Sequence, residues 1–415
     1  MLVPVMIREQ NFISDLFSLN AKTKGMVSST MDLSSPSTPS PVNPLSPLTP
    51  TTAPPTTLKL IKEWQSALDR PREAIKDVKA HKRVHELVEG LFSDVRDEML
   101  VMTESALKGD PTFAVSMMVR LESYLDDLKP TGHTFIVALF EGVYGKLKGI
   151  FEKFVDEQMK AIDETKVTSK KRSGILSFIR TFPRFVDRIE RYLPSYEGPT
   201  RQMADKAYSQ IVAKMFEALE EVGQQVAANN TETKGGSDDK EFLNIHILNV
   251  ENMHHLHTSL RPLKVPSLNP ATKQSKQIYE DHLSEYCKVV IRKPLGKLYD
   301  FFEGVDALIK AGQSAPEEVA YNISFNKSAA KDVVKKYPGK EIKKGLESLY
   351  KRVDKHFPDE EGLLQVVWRG IQEEFMKRTQ RYEDILKQCY RESGIRLDFS
   401  MEELLGYFSE LARAH

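Results

Sequence analysis

Apolar residues recur at helical spacing along most of this chain. Tyr208, Ile211, Val212, Met215, Phe216, Leu219, Val222 and Val226 follow one another at intervals of 3, 1, 3, 1, 3, 3 and 4, which draws a single stripe on an α-helix. Val84, Leu87, Val88, Leu91, Phe92 and Val95 pass the same test, as do Leu346, Leu349, Tyr350, Val353 and Phe357. From Asp359 to Arg391 the apolar set Leu364, Val367, Trp368, Ile371, Phe375, Tyr382, Ile385, Leu386 and Cys389 predicts one helix of roughly 50 Å at 1.5 Å per residue. Asp359, Glu360 and Glu361 fall in its first turn, where the helix dipole favours carboxylates, and Gly394 follows its end. A final helix opens with Ser400-Met401-Glu402-Glu403, the pattern of a capping box.

No alternating β-branched runs flank an Asn-Gly or Asp-Gly turn, and no rhythm of strand, helix and strand appears, so the expected fold is all-α. Breaks are expected at 130–132, 194–199, 229–240 and 262–270, where proline, glycine and small polar residues cluster. They divide the chain into helices of roughly 15 to 35 residues with short connections, the pattern of antiparallel bundles stacked end to end into an elongated rod. Pro294 interrupts a continuous pattern from Ile278 to Leu308, and a kink or break is expected there.

Eight of the 22 prolines lie between Pro36 and Pro55, in the run SSPSTPSPVNPLSPLTPTTAPP. Proline removes backbone donors and the small polar residues bury little area, so 28–57 is expected to be a disordered linker. Its Ser/Thr-Pro steps make Ser35, Thr38, Ser40, Ser46 and Thr49 candidate phosphorylation sites. The expected organisation is then an N-terminal helical fragment at 1–27, the linker at 28–57, a helical bundle region at 58–261, a short linker at 262–274 and a C-terminal bundle at 275–415.

Charge changes the picture in one place. Over all 415 residues, 59 Lys and Arg balance 59 Asp and Glu, which argues against binding nucleic acid through bulk positive charge. The stretch Lys327–His356 departs from that balance, with ten Lys or Arg against Asp332, Glu341, Glu347 and Asp354. Lys335, Lys336, Lys340, Lys343, Lys344 and Lys351 within it form a candidate patch for acidic lipid or an acidic partner, set against the simpler reading of a solvated helix face. Lys170-Lys171-Arg172 is a weaker basic loop, and no aromatic stacking platform accompanies either segment for RNA.

Catalytic constellations are missing. There is no GxxxxGK[ST] loop, and His85-Glu86 is followed by Glu89 where the zinc pattern HExxH needs histidine. Asp126-Asp127 lacks the third carboxylate a turn later that metal-diphosphate chemistry requires. His254 and His257, at i and i+3 beside His255 and His246, share a helix face on which a metal could sit, but no cysteine or compact carboxylate set joins them. No metal, cofactor or catalytic residue is therefore expected, and the enzymatic alternative is a helical small-GTPase regulator, which needs none of its own. Cys287 and Cys389 read as ordinary thiols in a reducing compartment. The longest apolar run, Phe135–Phe140, is far short of the roughly 18 residues of a membrane span, and MLVPVMIREQNF lacks the core and cleavage site of a secretory signal.

Taken as a string of residues, RKPLGKLYDFFEGVDALI from Arg292, YNISFNKSAAKDVVKKYPGKEIKKGLESLYKRVDKHF from Tyr321 and EGLLQVVWRGIQEEF from Glu361 resemble the C-terminal region of the exocyst complex component one family. NMHHLHTSL and MIREQNFISDLF look like the same family further upstream. The resemblance implies helical bundles shared with other vesicle tethers, a non-catalytic role in holding secretory vesicles at the plasma membrane, and other exocyst subunits as partners. It also implies a cytoplasmic location, peripheral at the plasma membrane. Rho- or Rab-type GTPases and phosphoinositide surfaces follow as further partners, through a pleckstrin-homology-like module and a coiled coil that have no matching positions here. The chain is therefore expected to be a truncated gene product or a fragment of a longer subunit.

Overall fold

The computed structural model describes residues 86–131, 134–193, 197–230, 238–358, 362–391 and 393–414. The 1–27 segment, the proline-rich run at 28–57 with Ser35, Thr38, Ser40, Ser46 and Thr49, and the acidic turn Asp359, Glu360 and Glu361 lie outside the described residues. Among the described residues there is no strand, and the elements are α-helices with a few 3-10 turns. The fold is all-α, as the periodicity predicts.

The chain divides into two compact units, 1–151 and 152–415. The first holds α1 (Ser93–Leu107), α2 (Phe113–Leu128) and the first part of α3 (Thr134–Glu164). Its core is built from Ala114, Val115 and Met118 of α2 with Ile136, Phe140, Leu147 and Phe151 of α3, all essentially without exposure. Glu122 is buried beside them and accepts a 2.6 Å hydrogen bond from the Tyr144 hydroxyl, so that carboxylate is not left without a donor. The predicted stripe at 84–95 is only partly inward: Val88 is buried, whereas Leu87 and Leu91 are exposed.

The second unit holds the remainder: α4 (Ser177–Glu190), α5 (Pro199–Asn230), α6 (Asp238–Leu260), α7 (Asn269–Lys310), α8 (Lys327–Lys335), α9 (Gly339–His356), α10 (Leu363–Cys389) and α11 (Met401–Ala414). The α5 stripe behaves as its spacing dictates, with Tyr208, Ile211, Val212, Met215, Leu219, Val222 and Val226 all buried. α6 is different. From Ile247 to Leu256 every side chain is buried, including Asn249, Glu251, Asn252, His254 and His255, so this helix runs through packed protein on all sides. α7 begins at Asn269, inside the segment expected to be a linker, after two 3-10 turns at Arg261–Leu263 and Pro266–Leu268.

The described part of α10 starts at Leu363 after a left-handed Gly362, and its 27 residues correspond to about 40 Å. Gly394, also left-handed at φ 64°, stands beyond its end. At α11 the capping box is formed: Glu403 N–H donates to Ser400 Oγ at 3.1 Å, and Ser400 N–H donates back to Glu403 Oε2 at 2.8 Å. α9, α10 and α11 close on an aromatic cluster in which Trp368 sits against Tyr350 and Phe408, and Phe375 meets the other side of Phe408.

Candidate functional site

The basic segment folds as two consecutive amphipathic helices. Asn326 caps α8 by accepting the Ala329 N–H at 2.9 Å, and Pro338 immediately precedes α9. Ile342, Leu346, Leu349, Tyr350 and Val353 form the buried face of α9. At 100° per residue Lys340, Lys344, Lys351 and Lys355 fall within a sector of roughly 60° on the opposite side, and all four are exposed. Lys335 and Lys336 are exposed at the end of α8. Among the described residues Lys335, Lys336, Lys340 and Lys351 have no ion-pair partner.

The other two lysines of the candidate patch are engaged. Lys343 pairs with Glu410 of α11 at 2.8 Å and lies 5.6 Å from the centre of the Tyr407 ring, and its ammonium is held above the ordinary lysine range first by that carboxylate. Its role is to fasten α11 to α9. Lys344 pairs with Glu341 one turn back at 3.0 Å. The open cationic face is therefore narrower than the sequence run, and it is centred on Lys336, Lys340 and Lys351.

Lys293, which sequence spacing did not single out, joins this face through the kink in α7. Pro294 has no N–H to continue the helix, and the non-helical backbone sits two residues on, at Gly296 (φ 44°, ψ −121°). That geometry turns the Lys297 N–H toward the Tyr337 hydroxyl, which accepts it at 2.8 Å. A Cβ on Gly296 would stand 2.4 Å from the same hydroxyl, so glycine is required both by conformation and by space. On the facing helix, a Cβ on Gly345 would come within 2.9 Å of Pro294 Cβ, and its absence lets α9 close on the kink. The result is a groove of about 530 Å³ lined by Lys293, Lys336, Lys344 and Arg352, with Glu341 the single carboxylate in its lining.

The histidine cluster is structural. His254 packs its ring on Tyr279 at 5.2 Å, whereas the Nδ1 of His257 lies 3.1 Å from the Thr272 carbonyl, so the two are drawn to different partners. Among the described residues no group of three His, Cys, Asp or Glu is placed to hold a metal ion. His246 Nδ1 approaches His282 Nδ1 at 3.0 Å. Burial lowers both imidazoles, His282 to about 4 with His246 adding to the effect, so the pair is neutral near pH 7. Cys287 and Cys389 are buried, and burial pushes the Cys287 thiol up to about 12, which leaves it unreactive.

The loop carrying Lys170, Lys171 and Arg172 is stitched to α6. Arg172 pairs with the buried carboxylate of Glu251 and donates to the Lys355 carbonyl at 3.3 Å. Asn252 accepts the Leu176 N–H at 2.8 Å and donates to the Gly174 carbonyl at 3.1 Å, while Asn244 donates to the Ser169 carbonyl at 2.6 Å. These bonds account for Asn244 and Asn252 of α6: they satisfy the backbone of the connection that runs past the helix. Arg172 is thus an internal tie, its charge neutralised by Glu251.

What the described residues offer is surface, a cationic groove at a helix kink and a lysine face, with no group of three His, Cys, Asp or Glu placed to hold a metal ion. The family profile described as Exocyst complex component Sec3, C-terminal, matches residues 56–392. "Exocyst complex component 1" of Mus musculus is 30% identical over 419 residues, covering 100% of this chain and 42% of the relative. Its Drosophila melanogaster namesake is 32% identical over 340 residues, covering 82% and 36% respectively. "Exocyst complex component SEC3A" of Arabidopsis thaliana is 23% identical over 314 residues and is covered to 33% of its length. The chain therefore spans less than half of each of these relatives. A solved structure of the exocyst subunit Exo70p, described together with the Exo84p C-terminal domains, overlays on 86% of this chain and 69% of its own at a TM-score of 0.49 and 13% identity. With its profile matched across four fifths of its residues, the chain belongs to the family of the C-terminal region of exocyst complex component Sec3.

Proposed function

We propose that this chain is the non-catalytic C-terminal portion of an exocyst subunit, and that it docks on other exocyst subunits to hold secretory vesicles at the plasma membrane before fusion. The observation that carries this reading is the family match over 56–392. The helical units supply stiffness, and their exposed ridges and grooves suit the recognition of partner helices. Its place is then the cytoplasmic face, peripheral at sites of secretion. No helix among the described residues is long and apolar enough to cross a membrane. Affinity capture of the tagged chain from native lysate at moderate salt, followed by mass spectrometry, is expected to recover other exocyst subunits well above an untagged control. Recovery of the chain without any of them contradicts the reading.

A second reading rests on the kink groove. Lys293, Lys336 and Arg352, without an ion-pair partner among the described residues, line it with Lys344, and such a cluster attracts anionic phosphate at a membrane surface. Sedimentation with vesicles containing acidic lipid is expected to pellet the chain at low salt and to release it as salt shortens the Debye length. The double variant Lys293→Glu, Lys336→Glu, at two exposed positions, is expected to lose most of that binding. Equal pelleting with neutral and acidic vesicles removes this reading.

A further inference from the structure

The two most exposed large apolar side chains among the described residues are neighbours. Tyr321 is 83% and Ile323 93% exposed, on the connection between α7 and α8. Exposed apolar residues usually stand singly, and a pair of this size on one turn calls for a partner.

The turn that carries them is held at both ends. Val319 and Ala320 are buried just before it. Just after it, the Phe325 ring lies on Phe301 at 5.4 Å and so close to Gly304 that a Cβ there would come within 2.7 Å. The Phe325 carbonyl accepts the Tyr390 hydroxyl at 2.7 Å, which ties the turn to the end of α10. Inside the turn the backbone satisfies itself: Asn322 N–H donates to the Val319 carbonyl at 3.0 Å, Phe325 N–H to the Asn322 carbonyl at 3.2 Å, and Ser324 N–H to Asn322 Oδ1 at 2.9 Å. The tip is therefore a knuckle whose backbone is held by its own hydrogen bonds and by the end of α10, which lowers the ordering cost of docking it.

Its flank is cationic. Lys327, Lys331 and Lys335 follow at i, i+4 and i+8 along α8, exposed on one face and without an ion-pair partner among the described residues. That ridge begins four residues from Ile323 and runs about 12 Å. An apolar tip beside an unpaired row of lysines is complementary to an apolar cleft with a carboxylate rim. A membrane surface fits less well, because two side chains bury less apolar area than the single fatty-acyl chain that gives only marginal, reversible anchoring.

We propose that Tyr321 and Ile323 form an anchor that inserts between two helices of another exocyst subunit, into an apolar cleft flanked by Asp and Glu that meet Lys327 and Lys331. The proposal rests on the assembly reading above and adds the surface that does the work. It is tested with the full chain co-expressed with its sibling exocyst subunits. The variant Ile323→p-benzoylphenylalanine is expected to cross-link on irradiation to one sibling, at a peptide whose apolar helix residues are flanked by carboxylates. The double variant Tyr321→Ser, Ile323→Ser is expected to lower recovery of that sibling at least about tenfold, as loss of a central aromatic anchor does, with an unchanged helical circular dichroism spectrum. Lys327→Glu with Lys331→Glu is expected to weaken the same pair, and lysines placed at the cross-linked carboxylates to restore it. A wild-type chain that recovers no sibling overturns the assembly reading and this one together. Undiminished recovery by Tyr321→Ser, Ile323→Ser overturns this one alone, as does cross-linking to lipid only.

Discussion

Replacing Trp368 with Ala is expected to destabilise the second unit by about 3–5 kcal/mol, the range for truncating a large aromatic in a packed core. Trp368 is 4% exposed where three helices meet. Its indole stands edge-on to Tyr350 of α9 at 4.9 Å and tilted against Phe408 of α11 at 5.0 Å, and its Nε1–H points at the Phe408 carbonyl at 3.4 Å. Ala at this position removes the surface on which α11 is seated, and no flexible neighbour is available to fill the space, since Phe375 and Phe408 are themselves fully buried. For a unit of this size the melting midpoint is expected to fall by roughly 10 °C, at about 2–4 °C per kcal/mol. Thermal unfolding followed by circular dichroism measures it, and a drop below about 2 °C would contradict the packing described. Trp368→Phe is expected to lose much less, because a ring still separates α9 from α11.

Arg201→Ala is expected to cost about 3 kcal/mol through a different cause. Arg201 Nη1 donates to both oxygens of Glu190 at 2.9 and 2.7 Å, while Nη2 and Nε reach Asp205 at 2.5 and 3.1 Å. Tyr208 adds a donor to Glu190 at 2.9 Å and Ser267 one to Asp205 at 2.6 Å. The guanidinium side chain is only 15% exposed. Its removal leaves two partly buried carboxylates near each other with one neutral donor apiece, and an uncompensated charge is far more costly than the pair itself is worth. Lys at position 201 is not expected to restore stability, since one ammonium cannot reproduce a four-bond fork. The contrasting variant is Arg191→Ala, whose side chain is 72% exposed opposite Asp187 and whose loss is expected to change stability by less than about 0.5 kcal/mol. Urea unfolding of the two variants side by side measures the difference, and equal midpoints would show that the Arg201 fork contributes nothing beyond a surface pair.

These two residues also mark where a sequence can be read as structure and where it cannot. Trp368 stands in a helical stripe and is legible as core from spacing alone, as are the α5 stripe and the Ser400–Glu403 cap. Its partner Phe408 lies 40 positions away, and no local pattern connects them. α6 is illegible for a physical reason. A helix buried on every side has no polar face to define a stripe, and its polar residues are engaged inside the protein, Glu251 and Asn252 with the connection before α4 and His246 and His254 with α7. Arg172 and Lys343 read as free basic charges because the carboxylates that engage them, Glu251 and Glu410, are 79 and 67 residues away. The lysine face of α9 is visible in the sequence, but Lys293 joins it only through the kink. That kink is expected at Pro294 and is realised at Gly296, where positive φ carries no steric penalty. Tyr321 and Ile323 belong to none of the helical stripes that spacing defines. Only their exposure on a turn held at both ends distinguishes them.

The proposed assembly role requires that this chain bind other exocyst subunits directly. Size-exclusion chromatography with light scattering, on the purified chain mixed with each purified sibling subunit at about 10 μM, tests it without help from other cell proteins. At least one sibling is expected to co-elute with the chain at the summed mass. Elution of the chain at its own mass in every mixture would contradict that role.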